Sequence, residues 1–196
     1  MMFFGVDEAG RGPLAGPVVA GAVWLSDAAI AGLNDSKKLS AKRRAVLEAQ
    51  IKAQAHWAVG VVEADEIDRI NIFAATMLAM TRAVEALAAQ VGDPAMVLID
   101  GNKTPEGRVE AWRWPARAIV GGDASEAVIS AASIIAKEHR DRIMQALAQA
   151  HPQYGWERNA GYGTAEHLAA LQAHGATAHH RVSFVPVAKV LAAVQK

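Results

Sequence analysis

Cysteine is missing from the sequence, which has 196 residues. Its absence excludes disulfide bonds, zinc sites built from thiolates and a cysteine nucleophile. The sequence also has no uninterrupted run of about 20 apolar residues, the length that a membrane-spanning helix requires. We therefore expect a cytoplasmic protein that does not contact a membrane.

An excess of charge of either sign is missing as well. The 20 basic residues equal the 20 acidic residues, so the formal net charge is zero. Strong non-specific binding to nucleic acids commonly needs a basic surface, and this balance argues against one. Hydrophobic residues make up 52% of the chain, which is enough for a substantial core. The length suits one domain, or one domain with a small appendage.

Apolar runs and helical periodicity predict the order of the secondary structure elements. Strands are predicted at residues 2–6, 18–25, 57–62, 95–99 and 116–120. Helices are predicted at residues 41–55, 71–90, 125–150, 164–174 and 187–195. This order indicates an α/β fold, in which a mixed five-stranded sheet is flanked by helices and followed by a small helical part. We place the core at residues 1–150 and the helical extension packed on it at residues 151–196.

Four carboxylates lie where predicted strands meet glycines. Asp7 and Glu8 end the first apolar run, just before the glycine–arginine–glycine segment at residues 10–12. Asp100 and Asp123 each follow a later predicted strand. Active groups collect at strand ends in α/β sheets, and four carboxylates there repel one another unless cations neutralise them. Because hard oxygen ligands favour Mg²⁺ or Mn²⁺, the pattern predicts a divalent metal site.

Each of these carboxylates also has a purely structural explanation. Asp100 could form an Asx-turn with the residues after it. Asp123 could cap the predicted helix that starts near Ser125. Asp7 and Glu8 could be ordinary charges at a strand end. For any single residue the structural explanation is the stronger one, whereas the four residues together favour a metal site.

The adjacency of Asp7 and Glu8 raises a geometric problem. Successive side chains of a regular strand point to opposite faces of the sheet, so both carboxylates cannot reach one metal cluster from it. We therefore predict that the strand bends or ends at Glu8, with the help of Gly10.

At these residues the chain resembles the ribonuclease HII family, over nearly its whole length. The strongest similarity is the segment DEAGRGPLAGPV at residues 7–18. Further segments follow in the family's order: NDSKKL at 34–39, IDGN at 99–102, GD at 122–123, ISAASIIAK at 129–137, GYGT at 161–164 and HRVSF at 180–184. So many segments in the same order make the resemblance specific.

The resemblance implies an RNase H-like fold and an endoribonuclease that cuts the RNA strand of RNA–DNA hybrids. It also implies incision 5′ of single ribonucleotides embedded in duplex DNA, which leaves a 3′-hydroxyl and a 5′-phosphate. Catalysis would use two divalent cations, Mg²⁺ or Mn²⁺, of which one activates the attacking water and the other stabilises the leaving oxygen. We expect a monomer whose partners are these nucleic acids.

Individual roles follow from the same resemblance. The family's catalytic, metal-binding carboxylates fall on Asp7, Glu8, Asp100 and Asp123. The substrate-binding residues fall on Gly10, Arg11, Gly12 and Tyr162, and phosphate contacts are expected from Arg11, Lys37 and Lys38. The segment ERNA at residues 157–160 departs from the family, which usually has a histidine–lysine pair there. This departure removes a cation beside Tyr162 and is expected to weaken phosphate contacts at that point.

Two other functions remain open at this stage. One is an RNase H-like nuclease with a different choice of substrate. The other is a non-catalytic nucleic-acid binder, although binding alone does not need four intact carboxylates.

Overall fold

A five-stranded sheet forms the centre of the protein in the computed structural model, which describes residues 1–194. Its strands are β1 (Phe3–Ala9), β2 (Val18–Trp24), β3 (His56–Val62), β4 (Met96–Asp100) and β5 (Ala116–Ile119). In space the order is β3-β2-β1-β4-β5. β1 and β3 pair antiparallel with β2, whereas β1 and β5 pair parallel with β4. The predicted mixed five-stranded sheet is therefore confirmed.

The helices occur where the sequence predicts them, with two short additions. They are α1 (Ala41–Gln54), α2 (Ala64–Val91), α3 (Gly122–Ser125), α4 (Ala127–Ala150), α5 (Trp156–Asn159), α6 (Ala165–His174) and α7 (Val185–Val194). α3 and α5 were not predicted, because a helix of one turn has no periodicity to detect. The end predicted for the last helix, at residue 195, lies outside the described residues.

Helix α2 begins earlier than its periodicity predicts. It starts at Ala64, and the predicted first residue, Asn71, has a non-helical backbone with φ 68° inside the helix. The Asn71 side-chain oxygen accepts hydrogen bonds from the N–H groups of Phe73 and Ala74 at 3.0 and 3.1 Å. Asn71 therefore acts as an N-cap within a kinked helix, which explains why the sequence pattern starts there.

The sheet is covered by α2 on one face and α4 on the other. Both helices approach so closely that glycine is required beneath them. A Cβ on Gly60 of β3 would lie 2.1 Å from the Ala79 carbonyl oxygen of α2, and one on Gly21 of β2 would lie 2.5 Å from the Ala132 carbonyl oxygen of α4. These contacts define which side chains of each strand face which helix.

By length and composition α2 could cross a membrane. Most of its buried residues, however, belong to the core cluster that also contains Phe4 and Val6 of β1. A helix that is apolar on most sides is typical of the interior of a larger domain. α2 is accordingly the core helix of one sheet face.

The C-terminal part packs against the loop that connects β1 and β2. Tyr154 and Trp156 are buried with Ala15 of that loop and Met144 of α4. A second cluster joins Leu14 of the same loop to α6 and α7. The division of the chain near residue 150 stays a prediction.

Candidate active site

Asp7 lies on the face of the sheet that α4 covers. It pairs across the strands with Gly21 of β2, and cross-strand partners share a face. Since Gly21 contacts α4, the Asp7 side chain points toward that helix as well. Asp7 is only 4% exposed. The most buried predicted metal ligand is thus held by the centre of the sheet.

Asp100 and Asp123 lie beside Asp7. In the parallel β1–β4 register Val6 pairs with Ile99, so the next residue of each strand, Asp7 or Asp100, points to the same face. Asp123 lies in α3, and its N–H donates a hydrogen bond to Asp100 Oδ1 at 3.2 Å. Carboxylate oxygens of the three residues lie within 4.8 Å of one another.

The capping role considered for Asp123 is not realised. The N-cap of α3 is Gly121 and the N-cap of α4 is Glu126. The carboxylate of Asp123 is therefore available to the acidic group formed with Asp7 and Asp100.

Glu8 is placed differently from the prediction. β1 does not end at Glu8: the residue pairs with Ala20, and the strand continues to Ala9 because the antiparallel ladder with β2 extends that far. The first residue with positive φ is Gly10, at 94°, directly after the end of the strand. Ala20 pairs with Gly60, which faces α2, so Glu8 belongs to the opposite face from Asp7. The prediction that the strand ends at Glu8 is wrong, and alternation is kept.

The Glu8 carboxylate nevertheless acts on the acidic group. It accepts a hydrogen bond from Arg11 Nη1 at 3.3 Å, and it does not belong to the three-residue set within 4.8 Å. Its charge still helps to raise the pKa of Asp7. Glu8 therefore lies at the rim of the group rather than within it.

Burial and mutual repulsion make the acidic group costly to ionise. The pKa of Asp7 is raised well above its ordinary value, first by burial and then by the charges of Glu8 and Asp100. Burial and Asp100 likewise raise the pKa of Asp123. Burial raises the pKa of Glu8, although Arg11 opposes this. A divalent cation would relieve this repulsion, and three converging hard oxygen donors fit such an ion.

A cavity of about 250 Å³ is connected to the acidic group through Glu8 and Lys37, which line it and interact electrostatically with Asp7. Its lining brings together six of the predicted residues: Glu8, Gly10, Arg11, Gly12, Lys37 and Tyr162. Burial lowers the pKa of Lys37, but the carboxylates of Asp7, Asp35 and others outweigh this and raise it, which keeps the ammonium charged beside the acidic group. Lys38 is exposed and does not line the cavity.

The same cavity contains side chains that sequence reasoning missed as site residues. Ser36, Lys137 and Arg140 also line it. Lys137 ends the 129–137 segment, which was the available signal, and its Nζ donates to Asp141 at 2.5 Å. The hydroxyls of Ser36 and Ser133 lie 2.7 Å apart. Ser133 also hydrogen-bonds Asp7, which opposes the rise in the pKa of that carboxyl.

Tyr162 stands at the cavity edge with 49% of its surface exposed. Two buried side chains order its backbone. The Asn159 side-chain Oδ1 accepts a hydrogen bond from the Gly161 N–H at 2.9 Å, and His167 Nδ1 donates to the Tyr162 main-chain carbonyl oxygen at 2.9 Å. Asn159 belongs to the segment that departs from the family pattern. Its side chain supports the turn before Tyr162, but it does not supply the positive charge that the family usually has there.

His167 and His180 form a buried pair whose protonation follows from their partners. His180 Nδ1 accepts from the Thr177 N–H at 2.9 Å, so its proton is on Nε2. That Nε2 lies 3.1 Å from His167 Nε2, which also accepts from Trp156 Nε1. Both imidazoles are therefore neutral. Burial, followed by the neighbouring His167, lowers the pKa of His180 to about 4.

This pair should make the fold sensitive to acid. The unfolded chain binds a proton at its ordinary histidine pKa near 6.5, whereas folded His180 does so at about 4. Stability is therefore complete above pH 6.5 and is lost as the pH falls toward 4, by roughly 3 kcal/mol. Urea unfolding at pH 7 and pH 4.5 should show a smaller loss for His180→Asn than for the wild type. Equal losses in the two proteins would refute this origin.

The sheet order and the acidic group together define a class, the RNase H-like metal-dependent ribonucleases. The crystal structure of ribonuclease H2 from Pyrococcus horikoshii OT3 superposes with a TM-score of 0.80 at 25% identity, covering 100% of both chains. Bst-RNase HIII in complex with Mn²⁺ shares the fold with a TM-score of 0.81 at 20% identity, covering 100% of this chain and 70% of that one.

The chain belongs to the ribonuclease HII family, whose model matches residues 4–187. A ribonuclease HII of Novosphingobium aromaticivorans is 68% identical over 193 residues, which are 97% of this chain and 98% of the relative. One from Erythrobacter litoralis is 64% identical over 95% of this chain and 88% of the relative. The protein is therefore a metal-dependent endoribonuclease that acts on RNA–DNA hybrids.

Proposed function

We propose that the protein incises duplex DNA 5′ of a single embedded ribonucleotide, in addition to cutting hybrids. The observation that supports this most is that one cavity is lined by the glycine loop (residues 10–12), by Tyr162 and by Glu8, the neighbour of Asp7. One nucleotide with its 2′-hydroxyl is enough to fill a site of this size, whereas contacts to a long RNA stretch are not required. The 2′-hydroxyl is the group that distinguishes RNA from DNA at a single position.

Asp7, Asp100 and Asp123 would hold the metal, with Glu8 completing the ligand set from the rim. We propose two ions, Mg²⁺ or Mn²⁺, which together activate the attacking water and neutralise the leaving 3′ oxygen when bound. Support comes from the three converging carboxylates and from the raised pKa of Asp7 and Asp123, which is caused first by burial and then by the neighbouring carboxylates. Hydrolysis in this way leaves a 3′-hydroxyl and a 5′-phosphate.

The remaining residues would position the strand. The backbone of residues 10–12 would approach the ribose, with Gly12 leaving room on the side of Tyr162. Gly10 is needed for a different reason, since a Cβ there would lie 2.0 Å from Arg140 Nε. Arg11 and Lys37 would bind phosphates at the cavity, and Lys38 would do so from outside it. Such contacts hold a duplex without reading its bases, so little sequence preference is expected. Tyr162 would stack on the neighbouring deoxyribose. We also propose that the protein acts as a monomer in the cytoplasm.

The decisive experiment uses a DNA duplex with one embedded ribonucleotide, incubated with Mg²⁺, with Mn²⁺ or with a chelator. We expect a single cut on the 5′ side of the ribonucleotide, only with metal, and a 5′-phosphate on the downstream product. An all-DNA duplex of the same sequence should stay intact, and a continuous RNA–DNA hybrid should be cut. If the hybrid is cut and the embedded ribonucleotide is not, the proposal fails while the family activity stands.

A further inference from the structure

Arg181 is a fully buried arginine whose side chain ends beneath the glycine loop. Its Nη2 donates to the Gly10 carbonyl oxygen at 2.6 Å, and its Nη1 donates to the Arg11 carbonyl oxygen at 2.9 Å. Its Nε donates to the Gly16 carbonyl oxygen at 3.0 Å. One guanidinium therefore holds both ends of the β1–β2 loop, of which the glycine loop is the first part, from the interior of the protein.

Arg140 lies next to Arg181 and is 2% exposed. It donates to the carbonyl oxygens of Pro17, Ala160 and Ala15 at 2.9, 2.9 and 3.1 Å. Within residues 1–194 neither arginine forms a salt bridge with a carboxylate. Asp68 acts on Arg181 and Asp141 on Arg140 only from beyond salt-bridge distance. Two buried positive charges without a directly paired carboxylate are unusual, because buried charges are normally paired.

Both arginines remain charged at neutral pH. Burial and then the neighbouring Arg140 lower the pKa of Arg181 to about 9, and burial lowers that of Arg140 to about 10. Arg140 also lines the cavity beside the acidic group. The positive charge beneath the loop is thus close to where a substrate phosphate would lie, and an anion there would supply the missing partner.

The contacts of Arg181 also determine the direction in which the N–H groups of the glycine loop point. In the trans peptides of residues 1–194, each carbonyl points away from the N–H of the next residue. Because the Gly10 and Arg11 carbonyls point inward to Arg181, the N–H groups of Arg11 and Gly12 point outward. Neither N–H donates a backbone hydrogen bond among the described residues. Consecutive outward N–H groups of this kind form an anion-binding concavity.

We propose that Arg181 is a positioning residue, which fixes the peptide planes of residues 10–12 so that the N–H groups of Arg11 and Gly12 bind one phosphate of the substrate strand. This rests on the proposed function, since it assumes that the cavity takes a nucleic acid. Arg181 itself does not touch the substrate. It is separated from the loop by about 170 positions in the sequence (165 to Gly16 and 171 to Gly10), so the sequence does not reveal this contact, although the HRVSF segment at residues 180–184 contains Arg181.

The test measures binding of ribonucleotide-containing duplexes in which single phosphates, one linkage at a time, are replaced by uncharged methylphosphonates. Metal is omitted, so that no cleavage occurs. For the wild type we expect one linkage at which the replacement weakens binding by about tenfold or more, the size of a lost charge-assisted hydrogen bond. Arg181→Lys keeps the charge but loses the planar fork. In this variant the same replacement should weaken binding by less than about threefold.

Arg82→Lys is the matched control. Arg82 also uses its planar fork, donating to both carboxylate oxygens of Glu66 and to the Val61 carbonyl oxygen, but it does not line the cavity, so the variant should keep the wild-type sensitivity at that linkage. Equal sensitivity in wild type and Arg181→Lys would overturn the proposal, as would the absence of any sensitive linkage in the wild type. A purely structural role would weaken binding of all duplexes alike and leave the ratio unchanged.

A measurement on the wild type covers the case in which Arg181→Lys does not fold. The amide resonances of Arg11 and Gly12 should shift with the phosphate duplex and stay in place with the duplex modified at the sensitive linkage. Equal shifts with both duplexes would reject the inference. Metal-dependent incision of the unmodified duplex is measured alongside. If the wild type does not incise, the proposed function fails; if it incises without a sensitive linkage, only the inference about Arg181 fails.

Discussion

Asp7→Asn should lower the rate of cleavage by about 10³-fold or more, the size of loss seen when a group that stabilises transition-state charge is removed. Asp7 is the most buried member of the acidic group, and both other members lie within 4.8 Å of it. Asparagine keeps the shape of the side chain but removes the negative charge that a divalent cation needs. Duplex binding should stay measurable, because the cavity residues are unchanged. Single-turnover cleavage of an embedded-ribonucleotide duplex is the measurement.

The same substitution should raise the stability of the metal-free protein. Burial and repulsion raise the pKa of Asp7, so its ionised form opposes folding at neutral pH. Thermal melting in a chelator should therefore occur at a higher temperature for Asp7→Asn. Added Mn²⁺ should raise the melting temperature of the wild type and have less effect on the variant.

Asp123→Asn should behave in the same way, whereas Asp65→Asn is the matched control. Asp65 lies on the surface of α2, where it forms an exposed ion pair with Arg69, and it has no predicted role in the site. Its substitution should leave cleavage and the effect of Mn²⁺ unchanged. Full activity in Asp7→Asn, or an unchanged effect of Mn²⁺ on its melting, would refute the metal assignment.

Tyr162→Ala should reduce incision at a single ribonucleotide by about ten- to a hundredfold, the range expected for loss of one aromatic stacking contact. The ring is about half exposed at the cavity, and a Cβ added to Gly12 would lie 3.4 Å from it. The ring therefore lies against Gly12, and a sugar bound in the cavity would lie beside both. Cleavage of a continuous hybrid should fall less, since many ribonucleotides offer alternative positions.

Tyr162→Phe separates stacking from hydrogen bonding at this position. It should retain most of the activity that alanine loses, because the aromatic face is kept. The side chains of His167 and Asn159 bind the main chain at Tyr162 and Gly161, not the Tyr162 ring. Neither substitution should therefore disturb the backbone at this position. Steady-state rates on both substrates give the comparison. An equal loss on hybrid and embedded-ribonucleotide duplexes would contradict a role in recognising the junction.

The placement of the acidic residues shows where sequence reasoning succeeded. Asp7, Asp100 and Asp123 were singled out because each follows an apolar strand, and the parallel register of β1 and β4 does bring two of them together. Glu8 was placed wrongly, since the length of the antiparallel ladder with β2 decides where β1 ends. That ladder depends on a partner strand, which the local sequence around Glu8 does not describe.

The helices show the same division. Ser40 was predicted as an N-cap, and its side chain accepts a hydrogen bond from the Arg43 N–H. The start of α2 was predicted at Asn71, where a cap exists, although the chain is already helical before it. A local signal therefore identified a local hydrogen bond correctly, while the continuation of the helix through it depends on packing against the sheet.

The sequence by itself determined the strands and helices, the carboxylates at the strand ends and the glycine loop, since each is encoded by neighbouring residues whose backbone preferences are local. Tertiary structure alone decided which face each carboxylate takes and which side chains support the loop. Arg140 of α4 and Arg181 of the C-terminal part reach carbonyls more than 120 residues away, and these contacts exist only because α4 and the C-terminal part both pack on the β1–β2 loop. A buried guanidinium has no pattern of its own in the chain, because its partners are main-chain oxygens that every residue carries.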